Sequence, residues 1–382
     1  MTLRVALLPE HFNWGGGFDF LRHIVNGLSS VSVQYQLAVS IAVQRGLAES
    51  ESYLQLRDYL SQSRCLSLTT FVYQSVQTDL ALLLSQHQID IVLPVNADLG
   101  ANFPLPWVSY IPDFQHKYLF HHFTEHECFA RETAFAARLR DCKTMLVNSD
   151  AVKADILQFY PWVNAERIFS LPYSPHPLPE WLALDPAQTQ AQYSVGSRYF
   201  MLCNQFWLHK DHRTAFIAFA ALAQPDLQLV CTGAMDDYRR PGYFNELLQL
   251  AEELGIRSQL VLLGHIPKRD QIALLSGALA LIQPTRFEGG PGGGAVYDAV
   301  SVGVPVVLSD IKVNQEVVAE DLSFFKAGDA AALTTALQAW LNPKPRPAVD
   351  TLLRRGNANQ QQLGEKLYTI IQQTLKRYTS QP

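Results

Sequence analysis

The stretch ALALIQPTRFEGGPGGGAVYDAVSVGVPVVLSD, residues 278–310, contains the pattern from which the fold can be inferred. The apolar run 278–284 predicts a buried strand, and a second apolar run, 305–310, predicts another. Between them lies a glycine-rich loop, and the segment 295–302 that follows the loop predicts a helix. Strand, loop, helix and strand in this order are typical of a parallel sheet with crossover helices.

The same alternation extends through the rest of the chain and predicts an α/β fold. Further buried strands are predicted at 4–10, 36–43, 89–96, 106–111, 144–149, 167–173, 199–205, 227–233 and 259–265. Helices are predicted at 18–31, at 150–160 with Ser149 as N-cap, from about 211, and at 243–254 and 268–277. Five prolines and weak periodicity in 172–197 predict a linker. We therefore predict an N-terminal domain at 1–175, a linker at 176–198 and a second domain at 199–360.

Composition excludes several classes of protein. The chain has 382 residues, 48% of them hydrophobic and 17% charged, which is globular and long enough for two domains. A net charge of −5 argues against a nucleic-acid binder. No run is long enough for a membrane span, and the N-terminus does not resemble a signal peptide. Five scattered cysteines without a CxxC motif predict a reducing, cytoplasmic protein.

The C-terminal segment 351–382 carries five basic residues against a single glutamate. A basic end of this kind can rest weakly on anionic lipid as a peripheral contact. A solvated helix face is the better interpretation, because five charges over this length are few.

The glycine-rich loop is expected to bind an anion. It follows a predicted buried strand and opens a helix, so several backbone N–H groups, among them those of Gly290, Gly292, Gly293 and Gly294, are expected to face a phosphate. Carboxylates suit vicinal diols, so the flanking Glu288 and Asp298 are expected to bind sugar hydroxyls. Together these features indicate a nucleotide-sugar ligand. The structural alternative is a tight turn with Glu288 as an exposed charge.

The segment PTRFEGGPGGGAVYDAVSVGVPVVLSD resembles the acidic signature region of retaining glycosyltransferase family 4. The usual form of that region is Glu-Gly-Phe-Gly-Leu-Pro-x-x-Glu-Ala followed by Gly-x-Pro-Val. The resemblance implies the GT-B fold, two Rossmann-like domains facing a central cleft, with a C-terminal helix, 361–382, crossing back. It also implies that Glu288 contacts the donor sugar and that Asp298 binds the ribose. Here nine residues instead of seven separate the two acids, and the second is an aspartate.

A second resemblance lies in NQFWLHKDHRTAF, residues 204–216, which is similar to the family's xQFWxHKNH variant. The lysine of that motif binds the donor diphosphate, which implies this role for Lys210. In much of the family an arginine stands five residues before the lysine, whereas Gln205 stands there in this chain. Because glutamine donates a hydrogen bond but no charge, neutralisation of the donor is expected to depend mainly on Lys210. The alternative for Lys210 is an exposed lysine at a helix start.

A third resemblance is SYIPDFQHKYLFHHF, residues 109–123, which contains the DxQH stretch of one branch of the family. The family's histidine hydrogen-bonds the transferred sugar, which implies catalytic positions for His116 and Asp113. Taken alone, His116 is more often a structural histidine, and the matching Asp113 reverses that expectation.

Two other segments match the family's donor-binding regions. WGGGFDF, residues 14–20, resembles its N-terminal glycine-rich loop, which implies that Gly16 and Gly17 approach the donor. LLGHIPKRDQI, residues 262–272, resembles the region that borders the base, near Gly264, His265 and Ile266. His122 and His126 have the spacing of two metal ligands on one helix, but no third ligand is evident. The resemblance implies transfer without a metal or another cofactor.

The predicted function is a retaining glycosyltransferase that uses a GDP- or UDP-sugar, with mannosyl transfer favoured. The acceptor is expected to be a glycan or a lipid-linked molecule of surface polysaccharide biosynthesis. Two alternatives stay open at this stage: a nucleotide-sugar epimerase on the same fold, and a non-catalytic subunit that binds the nucleotide-sugar.

Overall fold

The structure is a computed structural model that describes residues 2–12, 15–51, 53–54, 57–58, 69–74, 79–342 and 344–379. The chain forms two compact units. Unit 1 comprises Met1–Ser174 and Asn357–Pro382, and unit 2 comprises Pro175–Gly356. Trp14 and Cys65, which the sequence analysis considered, lie outside the described residues.

Unit 1 is built on a parallel sheet. Its strands are β1 (Leu3–Leu7), β2 (Leu37–Gln44), β3 (Thr69–Tyr73), β4 (Ile91–Val95), β5 (Trp107–Tyr110), β6 (Met145–Val147) and β7 (Ile168–Ser170). They lie in the order β3-β2-β1-β4-β5-β6-β7, and every pair is parallel. Alternate residues of β1 enter different core clusters, Val5 one and Ala6 the other, so both faces of the sheet are covered.

Unit 2 contains a second parallel sheet. Its strands are β8 (Tyr199–Cys203), β9 (Gln228–Thr232), β10 (Leu260–Gly264), β11 (Leu281–Gln283), β12 (Val306–Ser309) and β13 (Leu322–Phe325). Their order is β10-β9-β8-β11-β12-β13, again with parallel pairing throughout. The prediction of two Rossmann-like α/β domains is therefore confirmed.

The described α-helices connect and cover these strands. They are α1 (Gly15–Tyr35), α2 (Arg45–Ala48), α3 (Ala81–Gln86), α4 (Gln115–Tyr118), α5 (Glu125–Asp141), α6 (Asp150–Phe159), α7 (Pro186–Tyr193), α8 (His212–Ala221), α9 (Tyr243–Glu253), α10 (Lys268–Gly277), α11 (Gly294–Ser301), α12 (Ala330–Gln338) and α13 (Val349–Thr379). Ser149 caps α6 as predicted, because its hydroxyl accepts from the Val152 N–H at 3.1 Å. None of the described helices combines the length and the apolar character needed to cross a bilayer.

The segment predicted as a linker, 176–198, contains the helix α7. Asp185 caps this helix by accepting from the Ala187 N–H at 3.0 Å, and the hydroxyl of Tyr193 donates to Asp270 at 2.7 Å. The segment is therefore packed onto unit 2. Helix α13 begins twelve residues before the C-terminal helix predicted at 361–382. Gly356 allows it to pass Pro177, whose Cδ would lie 2.6 Å from an added Cβ.

Basic side chains of α13 have partners in the protein. Arg377 donates to the carbonyl oxygens of Lys143 at 3.1 Å and Glu166 at 2.6 Å. Arg355 forms an ion pair with Glu320 at 2.8 Å. Arg377 and Arg355 therefore bind groups outside α13. The basic face of this helix is thus not the purely solvated face that the sequence analysis expected.

Helices α1 and α13 cross at two glycines of unit 1. A Cβ added to Gly364 would lie 2.3 Å from the Gly27 carbonyl oxygen and 2.8 Å from the Ser30 hydroxyl oxygen. Leu363 and Leu367 of α13 are buried in the same core cluster as residues of α1. The absence of a side chain at Gly364 is thus what lets the two helices pack this closely.

Substitution Gly364→Ala is therefore expected to destabilise the protein by about 1–3 kcal/mol, because the obstructing atom belongs to backbone and cannot rotate away. Thermal unfolding followed by circular dichroism measures the change. The matched control is Gly46→Ala, where an added Cβ has no atom within 4 Å. An unchanged melting temperature for Gly364→Ala would contradict this packing.

Candidate functional site

The topology of unit 2 identifies where a ligand would bind. Strand β8 has its sequence neighbour β9 on one side and β11 on the other, so the strand order reverses between β8 and β11. Ligands of open α/β sheets bind at such a switch point, beyond the carboxyl ends of the strands. The loop after β8 carries Lys210, and the loop after β11 carries Glu288 and the glycines. The fold thus brings together two motifs that are 78 residues apart in sequence.

Lys210 and Glu288 form an ion pair through the lysine Nζ and the carboxylate Oε1. The two side chains are only 14% and 11% exposed, so the pair is largely withdrawn from water. Gln283 Nε2 also approaches Glu288 Oε1, at 3.4 Å. The residues predicted to bind the phosphate and the sugar of one ligand are therefore in direct contact.

The position of Lys210 is fixed by Asp211, which the sequence analysis did not identify. Asp211 caps α8 with its carboxylate and adopts a φ of +53°. Its Oδ2 also accepts from Arg286 Nε at 2.8 Å, and the Arg286 N–H donates to the His209 carbonyl at 2.8 Å. Asp211 and Arg286 thereby join the Lys210 segment to the loop that carries Glu288.

His212, the first residue of α8, stacks on Phe206 with ring centroids 4.0 Å apart. Burial, assisted by the nearby Lys210 charge, lowers the pKa of His212 to about 3. The ring is therefore neutral at pH 7, and its role at this position is packing.

The glycine loop is held by buried amides. Gln283 Nε2 donates to the Gly292 carbonyl at 2.6 Å, and Asn314 Oδ1 accepts from the Gly292 N–H at 3.1 Å. Asn204 donates in turn to Gln283. All three side chains are at most 7% exposed. For Asn204 and Gln283 the signal in the sequence is a polar residue at the end of an apolar run, as in ALALIQP.

Two of the loop N–H groups expected to face a phosphate are used within the protein. The Gly292 N–H donates to Asn314, and the Gly293 N–H donates to the Gly290 carbonyl at 3.3 Å. Both glycines have a φ of +69°, and Gly293 immediately precedes α11. The expectation of phosphate-facing N–H groups therefore narrows to Gly290 and to the first turn of α11, which starts at Gly294.

Asp298 lies in α11, is 7% exposed, and pairs with Lys268, the first residue of α10. Lys268 was missed by the sequence analysis, although it lies within the segment 262–272 that was matched to the base-bordering region. Its Nζ also lies 5.9 Å from the centre of the Trp181 ring. In that segment Gly264 ends β10 with a φ of +65°, His265 is exposed and Ile266 is half-buried. Each of the two predicted carboxylates therefore has a lysine partner.

Gln205 follows β8 and is half-buried. The backbone there packs tightly against Gly233, where an added Cβ would lie 2.3 Å from the Asn204 carbonyl oxygen and 2.8 Å from the Gln205 nitrogen. Gln205 is thus placed at the same sheet edge as Lys210, as expected from its position after β8.

In unit 1, Asp113 and His116 both follow β5, and each has its own partners. Asp113 accepts from the Gln115 N–H at 2.9 Å and lies 3.6 Å from Arg131. His116 is 3% exposed, and its Nε2 lies 2.5 Å from Glu132 Oε1. Burial is the main cause that lowers the pKa of His116 below its ordinary value. Asp113 thus has a local structural function, while His116 is a buried neutral imidazole.

Gly16 and Gly17 lie in the first turn of α1, so the helix starts earlier than the predicted 18–31. His122 lies in a short 3-10 helix and His126 in α5, so the two are not on one helix as their spacing suggested. Among the residues that the structure describes, no group of three or more metal-ligand side chains is assembled.

Comparison with known proteins supports this assignment of the fold. Residues 189–356 match the family model for glycosyl transferases group 1. No curated protein matches the sequence significantly. HepE from Anabaena, solved with UDP and glucose, has a TM-score of 0.64 at 15% identity, with 99% of this chain and 100% of that chain covered.

Two further solved structures share the architecture over full length. Sucrose-phosphate synthase from Thermosynechococcus elongatus has a TM-score of 0.63 at 15% identity, covering 99% of this chain and 98% of that one. WaaG, a glycosyltransferase involved in lipopolysaccharide biosynthesis, has a TM-score of 0.60 at 17% identity, covering 99% and 100%. At such low identities the structural similarity establishes the fold alone. The family match covers most of unit 2. The two findings together show that the chain has the GT-B fold and contains a glycosyl transferases group 1 domain at residues 189–356.

Proposed function

We propose that the chain is a glycosyltransferase that retains the anomeric configuration of its donor, a UDP- or GDP-sugar that binds at the β8–β11 switch point of unit 2. Its acceptor is a glycan or a lipid-linked molecule. The observation that carries the proposal is the Lys210–Glu288 pair beside the glycine loop. In this pair a cation suited to bind phosphate contacts a carboxylate suited to bind sugar hydroxyls, and both side chains are nearly buried.

Lys210 is suited to bind the diphosphate without leaving Glu288. An ammonium group has three N–H donors, and one bond to Glu288 leaves two for phosphate oxygens. The N-terminus of α11, eight residues long, adds positive potential at the same sheet edge. Positive charge concentrated in a poorly hydrated position stabilises the negative charge of a departing diphosphate.

The two carboxylates are assigned to hydroxyl groups. Glu288 accepts from the transferred sugar, and Asp298 accepts from the ribose, next to the segment Gly264–Ile266 that is assigned to the base. Lys268 compensates the charge of Asp298 in the same way that Lys210 compensates that of Glu288. No metal ion and no further cofactor is part of the proposal.

In the transfer step, the bond between the sugar C1 and the diphosphate oxygen breaks while the acceptor oxygen bonds to C1 on the same face. The departing phosphate takes the proton of the acceptor hydroxyl. The protein supplies Lys210 for the leaving group and His116 as a hydrogen-bonding partner of a substrate hydroxyl. No protein nucleophile is assigned.

The choice between nucleotides is tested first by thermal shift with UDP, GDP, ADP and dTDP, followed by hydrolysis of the matching sugar nucleotide. UDP comes first because HepE was solved with UDP and glucose. We expect one nucleoside diphosphate to raise the melting temperature in proportion to the logarithm of its concentration. Slow release of the sugar to water is then expected from the corresponding donor, and mannosyl transfer is tested with GDP-mannose.

Two outcomes would change the assignment. Stabilisation without turnover, even with glycan or lipid-linked acceptors, would favour a non-catalytic binding subunit, and interconversion of the sugar without transfer would favour an epimerase. If none of the four nucleotides stabilised the protein, the donor site in unit 2 would be refuted. A role in surface polysaccharide biosynthesis is proposed from WaaG, which is named for lipopolysaccharide biosynthesis.

A further inference from the structure

Glu132, on α5 of unit 1, lies at the centre of a cluster of hydrogen-bond donors. Its Oε1 lies 2.5 Å from His116 Nε2. Its Oε2 is 2.7 Å from Lys117 Nζ and accepts from the Tyr160 hydroxyl at 3.1 Å. The family motif that brought His116 to notice does not include Glu132, which stands sixteen residues further along the chain.

The His116 ring uses one nitrogen and leaves the other without a partner. The ring packs edge-on against Phe135, with centroids 5.5 Å apart, and against Phe123 at 6.4 Å. Its Nδ1 is buried and has no hydrogen-bond partner in the described structure. Because a buried polar atom without a partner is costly, this nitrogen is a candidate contact for a substrate.

Charges around the ring determine where its proton lies. Burial lowers the pKa of His116, Arg131 and Lys117 lower it further, and Glu132 raises it, with a net decrease. Burial alone would raise the pKa of Glu132, but hydrogen bonds from Lys117 and His116 lower it overall. At neutral pH a charged carboxylate therefore faces a neutral imidazole, which carries one proton. A carboxylate can only accept, so that proton lies on Nε2.

We propose that Glu132 is a positioning residue that holds the proton of His116 on Nε2, so that Nδ1 is left as an acceptor for a substrate hydroxyl. This role rests on the proposed transferase function, whereas the position of the proton does not. The hydroxyl donates its hydrogen to Nδ1, and no proton is transferred in this contact. Glu132 itself does not touch the substrate.

The substitution Glu132→Gln reverses the hydrogen-bonding direction. An amide has one acceptor oxygen, and the two donors at Oε2, Lys117 and Tyr160, both require it. The NH2 group of the glutamine then faces His116 Nε2 as a donor, so Nε2 must accept and the proton must move to Nδ1. The exchange of a carboxylate for an amide beside a histidine is known to select the wrong tautomer in this way.

Long-range proton–nitrogen NMR spectra of the full-length protein with 15N-labelled histidine distinguish the two neutral tautomers. The His116 signals are assigned by their loss in His116→Gln. At pH 7.5 we expect the Nε2-protonated neutral form in the wild type and the Nδ1-protonated form in Glu132→Gln. The control is Glu125→Gln, which removes an exposed carboxylate from the same helix and is expected to leave the tautomer unchanged.

A wild-type His116 that is protonated on Nδ1, or on both nitrogens, would overturn the proposal without any variant. With a donor that turns over, Glu132→Gln is expected to lower kcat/KM about tenfold, the loss of one hydrogen bond, while the Kd for the nucleoside diphosphate stays unchanged. A switched tautomer with undiminished kcat/KM would refute the positioning role. If no nucleotide binds at all, the transferase proposal fails while the tautomer result stands.

Discussion

Replacement of Lys210 by methionine is expected to reduce strongly the thermal stabilisation by the preferred nucleoside diphosphate and to lower turnover about 10²–10³-fold. Methionine keeps the length of the side chain and removes its charge. Loss of charged hydrogen bonds to phosphate costs about 1.5–3 kcal/mol, which corresponds to a decrease in nucleotide affinity of roughly tenfold or more. Isothermal titration calorimetry measures the affinity, and donor hydrolysis measures the turnover.

The same change affects stability through Glu288, which is 11% exposed and loses its cation. An unpaired carboxylate in such a position costs up to about 3–5 kcal/mol. The double variant Lys210→Met/Glu288→Gln is therefore expected to recover the melting temperature of the unliganded protein but not nucleotide binding. Lys326→Ala, which removes an exposed lysine of unit 2, serves as the control. A nucleotide affinity that is unchanged in Lys210→Met would show that the diphosphate lies elsewhere.

The second large effect is expected from Gly292→Ala. An alanine there must adopt a φ of +69°, and its Cβ would lie 2.5 Å from Val296 Cβ. The left-handed backbone and the steric overlap together are expected to cost about 2–4 kcal/mol. The change also displaces the loop from Gln283 and Asn314, so both the melting temperature and the nucleotide affinity are expected to fall.

Gly294→Ala is the matched substitution two residues later. An added Cβ has no atom within 4 Å at Gly294, and the residue begins α11, where alanine is a better helix former than glycine. Stability is therefore expected to be unchanged or slightly higher. If the phosphate approaches the first turn of α11, the new methyl group lowers nucleotide affinity without loss of stability. Equal affinities of wild type and Gly294→Ala would refute a phosphate at this turn.

The central strands of both sheets were predicted, whereas two of the four edge strands were missed. The strands in the middle of both sheets are continuous apolar runs, because both of their faces are buried. The two strands that the sequence analysis missed, β3 and β13, lie at the edges of their sheets. In strand β13, with the sequence LSFF, only Phe325 is buried and Ser323 interrupts the apolar residues, so no long apolar run marks it. Helix α12, which follows β13, was missed as well.

The candidate site was predictable as a set of loops but not as a set of contacts. Lys210, Glu288 and the glycines were identified because their residue types stand out after buried strands. Lys268, Asp211 and Glu132 were missed, because each functions through a partner that is far away in sequence. Glu132, for example, acquires its role only when α5 packs beside the loop after β5. The roles of these residues in binding and transfer stay predictions until the variants are measured.

The sequence by itself determined the two parallel α/β sheets and the strand ends at which the polar and glycine-rich loops stand, because periodicity and loop composition are local properties of the chain. Only the tertiary structure decided which charges meet: Lys210 with Glu288, and Lys268 with Asp298. The physical reason is strand order. The first pair exists because β8 and β11 are neighbours in the sheet although other strands separate them in the chain.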